Sequence, residues 1–554
     1  MSPFNRREFV QSSALGGLVL GTGFGSFADF AKAQANDDEH FFIFIELRGG
    51  VHWILGPDGR DISQLPMDNP KICRPFKITD TPPTEEEYAD LLEGGSQSQK
   101  RMDHGKFLLL PYVESPEVDY RKGQTSLGCD YILGFCGEAL RPVADDIAVV
   151  RGVYMRGNFH GPDNANGEIF SGLNSTETPH VASILANMLT PKYGARLLDN
   201  LVFENSTFSI GSTSLAKAPI RLDAQSLGFI VGNADELGNE AAESRFAKAR
   251  LLSEALAAGP TLSELHKKVF NTYVGAMKDA PKVREMLLRL KDDLSAVDAS
   301  LDLDIQVKTA VTLMQAGLTR VVSLCLGAPN GRNQVDGFGL FDSHVGTYHN
   351  YSSDSTANTQ RHQRNVQKGM TSIATLVKTL KETPFGTSGK TMWDVTTVVV
   401  GSEYGRPGNF SGDESSGGPN GGTSFGNGHY QWNNNYMLFG RGIKGGAWVG
   451  KNEQLRQMGH QVELASLDNP DPNALITTPV EYDFQPDEEG APEADGQGMY
   501  VPKDLDYLSE TKRPIMARDV IKTAMTAAGV GSRYNEAYQE DRVKSASVIK
   551  SMLR

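Results

Sequence analysis

"HFFIFIELRGG", residues His40–Gly50, is a short and almost unbroken apolar run closed by glycines. A strand with one wet face alternates apolar and polar side chains, whereas a strand covered on both faces does not. The run therefore predicts a strand buried on both sides. "DDIAVVRGV" (Asp145–Val153), "TRVVSLCLG" (Thr319–Gly327), "DVTTVVVGSE" (Asp394–Glu403) and "YMLFGRG" (Tyr436–Gly442) read the same way. Helical periodicity lies among them. The stretch from Ala241 to Gly317 predicts several helices, broken near Gly259–Pro260 and Ala280–Pro281. "RHQRNVQKGMTSIATLVKTLKET" (Arg361–Thr383) predicts an amphipathic helix, and "RPIMARDVIKTAMTAAGVG" (Arg513–Gly531) a last helix with Gly at its end. Buried strands alternating with helices predict an α/β fold: a largely parallel sheet with helices on both faces. Ligands in such sheets gather at the carboxyl ends of the strands.

Outward from this core, the N-terminus carries a different signal. "NRREFVQ" (Asn5–Gln11) pairs two arginines ahead of a mild, glycine-rich apolar run, and "AKAQA" (Ala31–Ala35) follows with small residues at alternating positions. That pattern predicts a twin-arginine export signal over residues 1–35, with the translocase as a partner during export and a periplasmic or secreted product. The competing reading is a short membrane anchor, but Gly21, Gly23 and Gly25 interrupt the run. No later segment approaches the roughly 18 apolar residues a membrane helix needs, so no transmembrane segment is expected in the mature chain. Loss of residues 1–35 removes Arg6, Arg7, Lys32, Glu8 and Asp29 and takes the formal charge from −14 to about −15. So acidic a chain is a poor match for nucleic acid or anionic lipid.

The rest of the chain, residues 40–554, reads as a single large domain with insertions. Residues 406–429 are rich in Gly, Ser and Asn, and residues 466–498 are acidic and Pro-rich. The second segment reads as a solvated insertion or lid, with a calcium site there as an alternative that lacks any EF-hand spacing. Four cysteines form no C-x-x-C pair. Cys129 and Cys136 are spaced so that they could bridge in an oxidising compartment, and Cys325, within "VVSLCLG", is expected as a buried thiol.

Candidate ligands fall in four separated loops. "LFDSHVGTYHN" (Leu340–Asn350) holds Asp342 and His344, which point to one side in an extended backbone. By itself this pair is a weak signal and reads sooner as a polar surface loop. "TTVVVGSEYGR" runs an apolar strand into Glu403, a carboxylate that is costly to bury unless a cation meets it. The bland alternative is an exposed acid or an ion pair with Arg406. His429 ends the Gly-rich loop in "FGNGHYQW". "RGNFHGPDNANGEIFSG" (Arg156–Gly172), after the strand Asp145–Val153, supplies His160, Asp163, Glu168 and Ser171. Imidazoles and carboxylates suit zinc, manganese or iron, and carboxylates suit calcium.

The order of these motifs resembles the bacterial domain-of-unknown-function 1501 family, over about His40 to Gly450. "VVVGSEYGR" and "GHYQWNNNYMLFGRGIKGG" are its specific parts. The family is similar to a branch of the alkaline phosphatase and sulfatase superfamily. The resemblance implies a three-layer α/β/α sandwich with a mixed sheet, long loop insertions and a metal site at the strand ends. It places metal ligands on Asp342, His344, Glu403 and His429, with His160 or Asp163 completing the site or acting as acid/base. It also implies a hydroxyl nucleophile near the second strand, for which Ser171 is the candidate, and an arginine for the anionic group, Arg406 or Arg156. Two departures stand out: Tyr404 replaces an expected histidine, and the first strand runs on into "LRGGVHWILGPDG", where His52 or Asp58 are the candidate replacements for a metal-binding acid.

The expected function is an exported, divalent-metal-dependent hydrolase of phosphate or sulfate esters. The alternative is a binding or assembly protein on the same fold that has lost part of the metal site. A periplasmic redox enzyme would suit the export route, but the chain holds no C-x-x-C-H, no cysteine cluster and no dinucleotide fingerprint.

Overall fold

The computed structural model describes residues 39–51, 53–59, 122–134, 136–155, 168–172, 178–194, 196, 198–203, 215–217, 219–222, 303–315, 317–326, 353–386, 389–403, 405, 434–450, 460–463, 477–479, 512–538 and 546–554. Its centre is an eight-stranded sheet. The strands are β1 (Phe41–Leu47), β2 (Ile147–Val153), β3 (Asn200–Phe203), β4 (Ile220–Leu222), β5 (Val321–Leu326), β6 (Thr396–Gly401), β7 (Asn434–Gly440) and β8 (Trp448–Val449). Their spatial order is β8-β2-β7-β6-β1-β5-β3-β4. β1 lies between β6 and β5 and is parallel to both, with Glu46 opposite Gly401 on one side and Cys325 on the other. β7 runs antiparallel to its neighbours β6 and β2, so the sheet is mixed but mostly parallel. The five strands expected from the sequence all lie in this sheet.

All seven residues of β1 are buried, as a strand covered on both sides requires. The pleat divides them between two cores. Phe41, Ile43, Ile45 and Leu47 meet helix α2 (Leu303–Gln315) through Val307, Ala310, Val311 and Met314, and helix α3 (Ser353–Glu382) through Val366, Met370, Ile373, Val377 and Leu380. Phe42 and Phe44 face the other way. There helix α1 (Val181–Met188) contributes Val181, Ile184, Leu185 and Met188, and helix α4 (Ala517–Ala527) contributes Val520, Ile521, Ala524 and Met525. The apolar spacing of three and four on each helix is that of a single buried stripe. Helices thus cover both faces of the sheet, and the fold is α/β.

α3 starts at Ser353 rather than Arg361. α4 ends as expected: Gly529 takes φ +75°, and Val530 N donates to Met525 O at 2.9 Å, the wrap-around bond of a glycine-terminated helix. Within the acidic segment, Thr477–Pro479 is a strand, paired antiparallel with His460–Glu463, which also pairs with Lys512–Pro514. The Ala241–Gly317 stretch is described only as far as α2 and the strand-entry residues after it. Cys129 and Cys136 stand as free, buried thiols, not the bridge their spacing allowed, and Cys325 is a buried thiol. Among the described residues no helix is long and apolar enough to cross a membrane.

At the amino end of the sheet, a largely buried ion cluster ties the strand starts together. The Arg320 guanidinium donates from Nε to Glu39 at 2.9 Å and from Nη1 to Asp199 at 3.3 Å. Its Nη2 donates to the carbonyls of Tyr193 and Gly194 at 3.1 and 2.8 Å. Arg196 also pairs with Glu39, and Lys217 with Asp199 at 2.5 Å.

Candidate functional site

The opposite, carboxyl edge of the sheet is where the sequence placed the chemistry. β6 ends at Gly401, and Ser402 and Glu403 follow it, both with no exposed surface. One oxygen of Glu403, Oε1, accepts the backbone N–H of Gly49 at 2.8 Å. Ser402 Oγ donates to Leu47 O at 2.7 Å and accepts from Val51 N at 3.0 Å. The end of β6 is thereby stitched to the segment leaving β1. That segment can turn so tightly because Gly49 and Gly50 both adopt positive φ, +118° and +74°.

Asn434, the first residue of β7, closes the arrangement from the other side. Its side-chain amide donates to Ser402 O at 2.7 Å, and its carbonyl accepts from Trp53 Nε1 at 2.7 Å and from Asn435 N at 3.0 Å. Asn435 Oδ1 in turn accepts Gly152 N of β2 at 3.1 Å. Four strands are therefore joined at this edge through side chains as well as backbone.

Glu46 is the acid that the sequence reading passed over. It sits within β1, 2 % exposed, and accepts from Arg48 Nε at 3.0 Å. Burial alone would pull the Arg48 guanidinium below its ordinary range; the nearby charges of Glu46, Cys325 and Glu403 outweigh that and raise it. The signal was available: Glu46 is the one charged residue in "FFIFIEL". Of the two residues expected to replace a strand-end acid, His52 lies outside the described residues, and Asp58 is buried beside the turn Trp53–Leu55 with its N–H on Trp53 O at 3.1 Å.

Ser171 is 1 % exposed in the turn after Glu168, its N–H on Glu168 O at 3.3 Å. The turn is clipped to β7 by the Tyr436 hydroxyl, which donates to Ile169 O at 2.9 Å. Burial, and then the charge of Glu168, push that hydroxyl well above the usual tyrosine range, so it stays protonated. Phe170 O accepts Val181 N at 2.7 Å, and His180 caps α1, its Nδ1 accepting Ala182 N at 3.0 Å. Packed against Phe44 and Phe170, His180 is lowered by burial to about 3 and is neutral at ordinary pH.

Of the residues expected in or beside the site, the structure therefore describes Glu403, Ser171, Glu168 and Asp58, all of them buried. His160, Asp163, Asp342, His344, Arg406 and His429 lie outside the described residues, as do Arg156 and Tyr404. In the chain they fall in the segments that leave the carboxyl ends of β2, β5 and β6. Among the described residues no three of His, Cys, Asp and Glu come together as a metal-holding group. On the strands of this edge lie two buried carboxylates, Glu403 held by a backbone N–H and Glu46 by a guanidinium, and Glu168, in the turn clipped to β7, is another. Carboxylate oxygens are hard donors suited to divalent cations.

No curated protein and no solved structure matches the chain. Residues 305–485, which include "VVVGSEYGR" and "GHYQWNNNYMLFGRGIKGG", match the family model described as Protein of unknown function (DUF1501).

Proposed function

We propose that this chain is an exported, metal-dependent hydrolase of phosphate or sulfate esters, built on an alkaline phosphatase-like version of the α/β fold. The observation that carries the proposal is Glu403. It is a fully buried carboxylate at the carboxyl end of a central parallel strand, with one oxygen fixed by the Gly49 N–H. A buried carboxylate is costly, and binding sites of α/β sheets lie at this edge. Glu403 would hold a divalent ion together with Asp342, His344, His429 and Asp163. The ion, when bound, would polarise the ester oxygen and generate the attacking nucleophile. Ser171 is the candidate hydroxyl nucleophile, His160 the acid/base, and Arg406 the guanidinium that receives the anionic group. Residues 1–35 would direct the folded chain through the twin-arginine translocase to the periplasm.

Elemental analysis of protein exported from its native host tests the metal, and hydrolysis of 4-nitrophenyl phosphate and sulfate tests the reaction. E403Q, D342N and H429A should each lower both metal content and turnover. Unchanged stoichiometry in all three would count against the site. The Arg48–Glu46 pair favours a second reading, a binding or assembly protein, because the acid on β1 already faces a cation within the chain. Bound metal without turnover on any ester would support it.

A further inference from the structure

Arg48 lies on the segment that meets both Glu46 and Glu403 at the carboxyl edge. On one side its Nε donates to Glu46 Oε1 at 3.0 Å. On the other, the next residue, Gly49, holds Glu403 Oε1 at 2.8 Å. The side chain of Arg48 is only 11 % exposed and that of Glu46 3 %, and Glu403 has no exposed surface. Neither acid is therefore screened by bulk water. Glu46 lies opposite Gly401 on β6, where a side chain would run into the Tyr436 ring and Ile169. The strand neighbour of Glu46 toward Glu403 is thus kept bare by packing.

We propose that Arg48 is the resident cation of this edge, so that a divalent ion reaches the Glu46 and Glu403 carboxylates only in competition with its guanidinium. The proposal rests on the carboxyl edge being a cation site, as set out above. The physical reason is that a guanidinium and a metal ion seek the same carboxylate oxygens, and two cations held side by side with little water repel strongly. A guanidinium does not leave by losing its proton. It must swing away, or weaken the ion's hold. The built-in pair would keep the acids of the edge neutralised when no metal is present and would set the metal affinity below what the carboxylates alone could reach.

Titration calorimetry with Mn²⁺ alone, on the full mature chain, tests this. R48Q should bind Mn²⁺ about tenfold or more tightly than the wild type, because a competing charge is gone. R48K, which keeps a cation, should stay close to the wild type. Adding E403Q to R48Q should abolish the gain. R48M carries the same test should R48Q fail to fold, and a larger Mn²⁺-induced rise in the unfolding midpoint than in the wild type is the second readout. If the wild type binds Mn²⁺ and loses it with E403Q, but neither R48Q nor R48M binds more tightly, Arg48 is not the competitor although the metal site stands. If no form binds Mn²⁺ or Zn²⁺, the metal reading itself falls and takes the competition with it. A gain in R48K equal to that in R48Q would also overturn the role of charge.

Discussion

Replacing Arg320 by methionine removes a guanidinium at the amino end of the sheet while keeping an unbranched chain of similar reach. Arg320 has no exposed surface. It donates to Glu39, Asp199 and the carbonyls of Tyr193 and Gly194, and its guanidinium lies 5.6 Å from the Tyr193 ring centre. Removing one partner of a buried ion pair typically costs about 3–5 kcal/mol, and each carbonyl left without its donor adds about 1 kcal/mol. Against this, Glu39 keeps Arg196 and Asp199 keeps Lys217. The net expectation is a loss of about 3–5 kcal/mol, a large part of the roughly 5–15 kcal/mol that holds a typical fold. Reversible urea unfolding, followed by the fluorescence of buried Trp53, Trp393 and Trp448, would read it as a lower midpoint. Adding E39Q to R320M should cost less than the two single changes summed, since one carboxylate then no longer needs neutralising. An R320M protein within about 1 kcal/mol of the wild type would refute the reasoning, because it would mean that the cluster stabilises no more than surface pairs do.

Three further outcomes can be measured independently. His180 is lowered to about 3 by burial, so the unfolded chain takes up a proton first as pH falls below about 6.5. Stability should then be lost between about pH 6.5 and 3, by up to about 5 kcal/mol from this group, and be insensitive to it above that window. H180N keeps a side-chain acceptor for the Ala182 N–H and should flatten this part of the stability profile; an unchanged slope would remove His180 from the acid response. Gly440 has φ +91°, and a Cβ there would run into the Thr396 carbonyl, whereas Gly389, at φ +78°, has nothing within 4 Å. G440A should therefore cost about 2–5 kcal/mol and G389A only about 1–2, measured by thermal unfolding, and equal losses would deny the clash. Cys129 and Cys136 are buried free thiols, and burial pushes the Cys136 thiol up. Both should resist a thiol reagent until the protein unfolds, while a disulfide-linked mass in the native protein would contradict the free state.

What the sequence could say depended on whether the cause was local. β1, β2, β5, β6 and β7 were legible because burial on both faces leaves a run of apolar residues, and the register of that run needs no partner to be recognised. Its direction does need a partner, so the antiparallel β7 reads no differently from its parallel neighbours. The edge strands β4 and β8, and β3 beside β4, are two to four residues long and carry too little pattern to find. The N-terminal turns of α3, "SDSTANTQ", are polar, which is why the amphipathic signal begins only later. Glu403 was legible because an acid directly after an apolar strand is conspicuous. Glu46 was hidden inside such a strand, and Arg48 gains its meaning only from the turn that sets Gly49 against Glu403. The amino-end cluster joins residues up to 281 positions apart, which no spacing rule reaches.

Both ends of the sheet bury charged side chains. At the amino end Glu39 and Asp199 face Arg196, Arg320 and Lys217, and every one of these cations donates to one of the two acids. At the carboxyl end Arg48 donates to Glu46 and lies within the influence of Glu403, while Glu168 is a further buried acid in the turn clipped to β7. Burying charge costs stability at both ends. At the amino end the cost is offset by ties among β1, β3 and β5, which fix where the strands start. At the carboxyl end the strands are already tied by Ser402, Asn434 and Trp53 without the acids. Neutral hydrogen bonds thus carry much of that closure, and Glu403 adds a charged one by accepting the Gly49 N–H. The Mn²⁺ titrations of E403Q and R48Q are therefore the measurement that decides whether the charge at this edge serves a bound cation.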